Sequence, residues 1–190
     1  QDGVLMYGRD QAGHFHLKPD SEGDLWQEDW PVFLVDWEAA QAYAAWWSEL
    51  TGFEWRLPME LEWEKAGRGV DGRHFPWGDQ LDPSWCCMRD SHQGQPMPAP
   101  VGSYRVDTSP YGVADMAGNM RQWCQDLFDP LGPEVLDGRA VVACREGSGR
   151  RSVRGGRFSG TANNCRLADR SANRPNQRLY VIGFRLARSL

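Results

Sequence analysis

The feature that most constrains this chain is its last segment, VRGGRFSGTANNCRLADRSANRPNQRLYVIGFRLARSL, residues 153–190. Two blocks that read as framework bracket it: Val153-Arg154-Gly155-Gly156 at one end and Gly183-Phe184-Arg185-Leu186 at the other. Between them large apolar side chains are few, and small, polar or cationic ones are many. Neither the strand period nor the helix period is present, so this stretch has no buried face of its own to fold around. A glycine pair followed by polar residues suits a backbone held close to its neighbours and then exposed. The rest of the chain is therefore expected to act as a scaffold that presents this segment.

Bulk properties bound what that scaffold is. The 190 residues are long enough for a real core and are most simply one domain, residues 1–190. Ten Trp, seven Phe and five Tyr supply apolar area, while 21 Gly and 12 Pro imply many turns. That balance favours a loop-rich α+β or mostly β domain over a helical bundle. The net charge of −5 argues against a generic nucleic-acid binder. Acids dominate the earlier part of the chain, and arginine is enriched from Arg139 onward. Lys18 and Lys65 are the only lysines, so the cations are almost all rigid multi-donor guanidinium groups. Base composition of the gene and a role in packing or ligand contact both remain open as its cause.

Five cysteines, Cys86, Cys87, Cys124, Cys144 and Cys165, have no metal-type spacing and no C-x-x-C pair. Buried thiols in a reducing compartment, the cytoplasm, are the simplest expectation. No signal peptide or membrane span is visible, and no membrane partner is expected. No cofactor is expected either.

Along the chain, Phe15-His16-Leu17 reads as a short strand, and Trp26 and Trp30 as caps on the core. His14 and His16 alternate on one strand face, a pattern that more often lies in solvent than holds a metal. Pro31-Val32-Phe33-Leu34-Val35 is an apolar run of strand length. Asp36 is a good N-cap for a helix through Trp46-Trp47, which Gly52 stops. Residues 55–69 read as a short extended piece, then a helix beginning near Pro58. Its acids Glu60, Glu62 and Glu64 suit the positive end of the helix dipole and a solvated face. Phe75-Pro76-Trp77-Gly78-Asp79 is an aromatic turn. The loop from Leu81 to Pro100 holds Cys86, Cys87 and His92, residue types of a nucleophile and base whose geometry the sequence leaves open. Val101-Gly102-Ser103-Tyr104 begins a strand-like segment, Asp107 to Gly112 is a turn, and Gly118-Asn119 turns into a strand carrying Trp123. Residues 126–150 look like a surface excursion.

Four blocks together resemble the formylglycine-generating enzyme/sulfatase-modifying-factor family, whose domain has a C-type-lectin-like fold. They are WRLPMELEWEKAGRG (55–69), FPWGD (75–79), SPYGVADMAGNMRQW (109–123) and VRGG…CRLADRSANRP…IGFRLA (153–187). The resemblance covers residues 31–190 and implies an α+β fold, with two helices beside a small twisted antiparallel sheet and long irregular loops. The family's enzymes oxidise a substrate cysteine with two copper-binding cysteines placed shortly after the glycine pair. Here Arg157-Phe158-Ser159-Gly160-Thr161-Ala162-Asn163-Asn164-Cys165 follows, with one cysteine in a framework context. The family's N-x-W-E-W block, whose Glu helps hold structural calcium, reads Asn119-Met120-Arg121-Gln122-Trp123. Loss of the carboxylate and gain of Arg121 weaken a calcium site there. No catalytic or metal residues are therefore assigned.

A second branch of the resemblance fits the segment better: the variable proteins of diversity-generating retroelements. In these, scattered codons of a C-terminal segment are randomised from an adenine-rich template while a framework stays intact. The framework here would be Gly155, Gly156, Phe158, Cys165, Arg166, Ala168, Arg170, Pro175, Arg178, Gly183, Phe184 and Arg185. The exposed, exchangeable, ligand-binding set would be Arg157, Ser159, Gly160, Thr161, Asn163, Leu167, Asp169, Ser171, Ala172, Arg174, Leu179, Tyr180 and Val181. The ligand implied is a protein, with Tyr180, Leu179 and Arg174 as anchors. The alternatives are an ordinary non-catalytic domain of this family fused to a bacterial kinase or similar protein, and a formylglycine-generating oxidase.

Overall fold

Why the second helix begins where it does explains much of the architecture. In the computed structural model, which describes residues 7–19, 23–133, 135–137, 139–140 and 149–189, α2 (Glu60–Arg68) follows Pro58 and opens on a capping box. The Glu62 carboxylate accepts from the Met59 N–H at 2.8 Å and also takes the Arg56 guanidinium. α1 (Trp37–Thr51) begins and ends as its sequence predicts. The Asp36 carboxylate accepts from the Ala39 N–H at 2.7 Å, and Gly52 at φ 73° donates back to the Ser48 carbonyl at 2.9 Å.

The described residues pack as two compact units, divided between Trp30 and Pro31. In the first, β1 (Tyr7–Arg9) pairs antiparallel with β2 (Phe15–Leu17), so the strand expected around His16 is present. His14 and His16 are both exposed, and Trp26 meets Trp30 edge to face at 5.1 Å.

The second unit is built on a sheet of β4 (Arg121–Leu127), β7 (Arg151–Arg154), β8 (Arg170–Asn173) and β9 (Ile182–Gly183), in the order β8-β7-β4-β9. Trp123 stands opposite Val153, and Val153 opposite Ser171, both in antiparallel pairs. β9 departs from the all-antiparallel expectation. The chain crosses from β8 to the far side of β4 and runs parallel to it, with Arg121 opposite Ile182. β3 (Trp55–Arg56) pairs with β10 (Ala187–Arg188), and β5 (Val135–Leu136) with β6 (Arg139–Ala140). Asp126 and Leu127 still belong to β4, so the excursion expected over 126–150 begins only after them; it carries that hairpin, and residues 141–148, with Cys144, lie outside the described residues. Two helices, a small sheet and long loops make the expected α+β, C-type-lectin-like fold.

Two expected extended pieces are not strands. Pro31–Val35 joins no strand ladder. Leu34 sits at φ 56°, its N–H bonds the Leu179 carbonyl at 3.3 Å, and the Val35 carbonyl accepts from the Trp123 indole at 3.0 Å. Val101–Tyr104 is turn, held by the Asp115 carboxylate on the Gly102 N–H at 2.8 Å. The core is aromatic and sulfur-rich: Trp63, Trp123, Leu57, Met88, Met116, Val153 and Ile182 are fully buried.

Candidate functional site

The segment that leaves the sheet after Arg154 and re-enters it at Arg170 is tied at both ends to one carboxylate. Arg154 Nη1 donates to Glu60 Oε1 at 3.2 Å, and the Arg170 guanidinium donates to both Glu60 oxygens. Ser152 adds a third donor at 2.8 Å. Of the acids of α2, Glu60 departs from the solvated face that their spacing predicts, while Glu62 is exposed and Glu64 partly so. Glu60 is buried against β7 and β8, Glu64 takes the other arm of Arg154, and Glu62 takes Arg56. Burial pushes the Glu60 carboxyl up, but hydrogen bonds from Arg170 and Ser152 and the two guanidinium charges hold it below the ordinary glutamate range.

Along the segment, main-chain hydrogen bonds do most of the holding. Gly156 N–H donates to the Ala117 carbonyl at 3.1 Å and Phe158 N–H to Asn119 at 2.8 Å. The Arg89 N–H reaches the Gly160 carbonyl at 3.0 Å, and Leu167 N–H reaches His74 at 2.8 Å. Further on, the Pro175 carbonyl accepts from Trp37, the Leu179 carbonyl from Leu34, and the Val181 carbonyl from Arg121. The glycine pair is required by contact. A Cβ on Gly156 would lie 2.1 Å from the Ala117 carbonyl oxygen, closer than any side chain can sit.

The thirteen residues named as an exposed set divide on the structure. Thr161, Asn163, Arg174 and Tyr180 are exposed; Arg157, Ser159, Asp169, Ser171, Ala172 and Leu179 are half-buried. Three are buried, contrary to expectation. Leu167 is fully buried with Trp63, Met116 and Cys124, because the Arg154 guanidinium and His74 hold its backbone and turn the side chain inward. Val181 is buried where its carbonyl joins β4. Gly160 is buried, and a Cβ there would sit tightly against Arg157, 3.0 Å from its Cγ and 3.1 Å from its carbonyl oxygen. Of the residues named as framework, Arg166, Ala168 and Arg178 are exposed, although Arg178 is spoken for by Asp36 at 2.8 Å. Asp169 is engaged by Arg121 at 2.6 Å. Arg89, which no sequence pattern singles out, donates to the Ser159 carbonyl at 3.3 Å.

The donor sets for the family's metals do not fit. Cys165 is fully buried with Phe75, Cys86, Met88 and Ala117, and the Cys86 thiol, hydrogen-bonded to Cys165, is pushed up by that contact and by burial. A buried protonated thiol in an apolar core offers no Cu(I) thiolate pair to a substrate. At the calcium position Gln122 is saturated as an amide. Its Nε2 donates to the carbonyls of Asp115 and Met120 at 3.2 and 3.3 Å, and its Oε1 accepts from Trp63 Nε1 at 2.6 Å and from Arg185 Nε. The amide N–H group thus faces carbonyls that a cation would need. Cys87 and His92 do come together, with 3.7 Å between Sγ and Nε2, but burial pushes the thiol up to about 12 and it donates to the Met97 carbonyl at 3.4 Å. Burial also lowers His92, so the pair is a neutral thiol and a neutral imidazole at pH 7. Among the described residues no group of three or more His, Cys, Asp or Glu is placed to hold a metal ion, and none of their helices is long and apolar enough to cross a membrane.

Comparison with known proteins agrees with this architecture. Residues 12–190 match the family model described as Sulfatase-modifying factor enzyme 1-like domain. A formylglycine-generating enzyme of Streptomyces coelicolor is 36% identical over 173 residues, covering 83% of this chain and 52% of that protein. The serine/threonine-protein kinase pkn1 of Chlamydia caviae is 33% identical over 163 residues, covering 84% of this chain and 24% of the kinase. The chain thus spans about half the length, or less, of these curated relatives. Among solved structures, PvdO from Pseudomonas aeruginosa superposes with a TM-score of 0.75 at 26% identity, covering 98% of this chain and 72% of that one. Treponema denticola variable protein 1 superposes at 0.70 with 22% identity, covering 85% and 72%.

Proposed function

The chain belongs to the family of sulfatase-modifying factor enzyme 1-like domains, and from that premise we propose that it is a non-catalytic binding protein that displays residues 157–181 to a protein ligand. The observation that carries the reading is how the segment is held. The stretch from Arg154 to Arg170 is tied at both ends to Glu60, and the path through it and on to Val181 is fixed by main-chain hydrogen bonds and buried glycines. Such a backbone keeps its path whatever its outward side chains are, so Thr161, Asn163, Arg174 and Tyr180 can be exchanged at small cost. Tyr180 is the large anchor: its ring is 57% exposed and leans on Phe158 at 6.1 Å. A variable protein among the folds it superposes on is consistent with a diversified surface.

The enzyme reading is disfavoured by the donor sets: the thiols of Cys86, Cys87 and Cys124 are pushed up, Cys86 by its hydrogen bond to Cys165 and the other two by burial, and Cys165 is buried in an apolar cluster. The reading puts the protein in a reducing compartment, the cytoplasm, where four buried free cysteines stay reduced. A second reading, a kinase-associated domain of the same fold, is favoured by the likeness to pkn1 and shares the same display surface.

Sequencing the 3′ end of the gene and the DNA just downstream in many clones tests diversification. A near-copy with adenines at the codons of the exposed set, and clone-to-clone change confined there, is the expected result. An invariant gene with no template copy removes diversification and leaves the kinase-associated reading.

A further inference from the structure

The face of α1 turned away from the core should be polar; Glu38 and Glu49 are exposed there, but an apolar patch lies beside them. Ala40 and Ala44 mark the buried side. On the opposite side Ala39, Ala42 and Ala45 are exposed, followed by Trp46 at 51% and Leu50 at 62% exposure; Phe53 just past the cap is exposed too. Tyr43 extends the patch, with its ring 5.3 Å from Trp46 and 5.5 Å from Phe184. Contiguous aromatic surface of this kind on a small domain marks an interaction site.

From its shape and charge we infer that this face is covered by a second copy of the same chain, with the two α1 helices antiparallel across a two-fold axis through the middle of α1. The face is graded: small alanines at the N-terminal half, large Trp46, Leu50 and Phe53 at the C-terminal end. Antiparallel pairing sets the large end of one helix against the small end of the other, so each fills the space the other leaves. A parallel pair would set large against large. The spacing of Ala39, Tyr43, Trp46 and Leu50, steps of four, three and four, is that of a helix-pairing seam.

Charge points the same way. Glu38 is exposed in the first turn, and Arg188 is exposed at the other end, its guanidinium 4.1 Å from the Phe53 ring. Among the described residues neither makes an ion pair. A two-fold axis through the middle of α1 brings Glu38 of each copy beside Arg188 of the other, and symmetry makes the pair twice.

Sedimentation equilibrium of the full chain, from sub-micromolar to hundreds of micromolar, tests this. A reversible monomer–dimer equilibrium is expected, and Trp46→Glu should weaken it by about a hundredfold or more while leaving helical circular dichroism intact, since the ring is half exposed. Glu38→Arg and Arg188→Glu should each weaken it by about tenfold, and the double variant should return it to near the parent value. The charge pair keeps the test valid should Trp46→Glu fail to fold. A single-chain mass at every concentration overturns the proposal and leaves the face to a different protein. A dimer indifferent to Trp46→Glu, or single charge variants that the double variant does not rescue, overturns it equally.

Discussion

Glu60 and Arg154, 94 residues apart in sequence, meet in the core, with the guanidinium Nη1 3.2 Å from the carboxylate and both side chains buried. Because Arg170 reaches the same carboxylate, this contact fixes where the first part of the displayed segment, up to Arg170, leaves and rejoins the sheet. Glu60→Gln leaves a buried guanidinium short of its charge partner and should cost about 3 kcal/mol or more by guanidinium chloride denaturation. Glu64→Gln, whose carboxylate is partly solvated, should cost about 1 kcal/mol or less. Glu60 titrates below the ordinary range when folded, so its contribution is present in full at neutral pH and is lost as pH falls through its folded value.

Asp107 behaves in the opposite sense. Burial pushes its carboxyl up to about 7, against the N–H groups of Ala117, Gly118 and Met116 that it accepts at 2.9 to 3.1 Å. The folded chain therefore holds a proton there that the unfolded chain, with a value near 3.8, has already lost. Stability from this group should fall as pH rises from about 4 to about 7. Asp107→Asn does not titrate, so the stability gap between parent and variant should narrow over that range. Carbon-detected NMR titration of the Asp107 carboxyl gives an independent reading, and a midpoint near 4 would contradict the account.

The four described cysteines should be inert in the folded state. Cys86 and Cys124 are pushed up, Cys87 to about 12, and all four sulfurs are buried. Iodoacetamide at pH 7.5 followed by peptide mass mapping should leave Cys86, Cys87, Cys124 and Cys165 unmodified until denaturant is added. Incubation with copper and a cysteine-containing peptide should yield no aldehyde. Rapid native labelling of Cys165, or turnover, would return the protein to its enzyme relatives.

Much of the fold was legible because its signals are local. The Asp36 cap, the Gly52 stop and the Gly118-Asn119 turn into β4 each depend on a few neighbouring residues. The apolar run Pro31–Val35 misled because apolar composition does not report strand pairing: only Phe33 of the run is buried, and Val32 and Leu34 are exposed. The glutamates of α2 misled for a related reason. Glu60 looks like one of three dipole-stabilising acids, and only the distant Arg154 and Arg170 make it a buried hub. Within the displayed segment Leu167 and Val181 could have been suspected from their apolar side chains. Gly160, Arg89 and the exposure of Arg166 depend on contacts between distant parts of the chain, such as Arg89 with Gly160, that no local pattern encodes.

The central claim is that the backbone of this segment is held independently of its outward side chains. The most direct test is a pair of libraries scored for protease resistance and cooperative unfolding. One randomises Thr161, Asn163, Arg174 and Tyr180; the other randomises Leu167, Val181 and Gly160. The account predicts that most members of the first library stay within about 0.5 kcal/mol of the parent per substitution. Members of the second that truncate Leu167 should lose about 2–5 kcal/mol. Equal losses in the two libraries would show that the outward residues carry the fold, and would contradict the reading of this surface as a display.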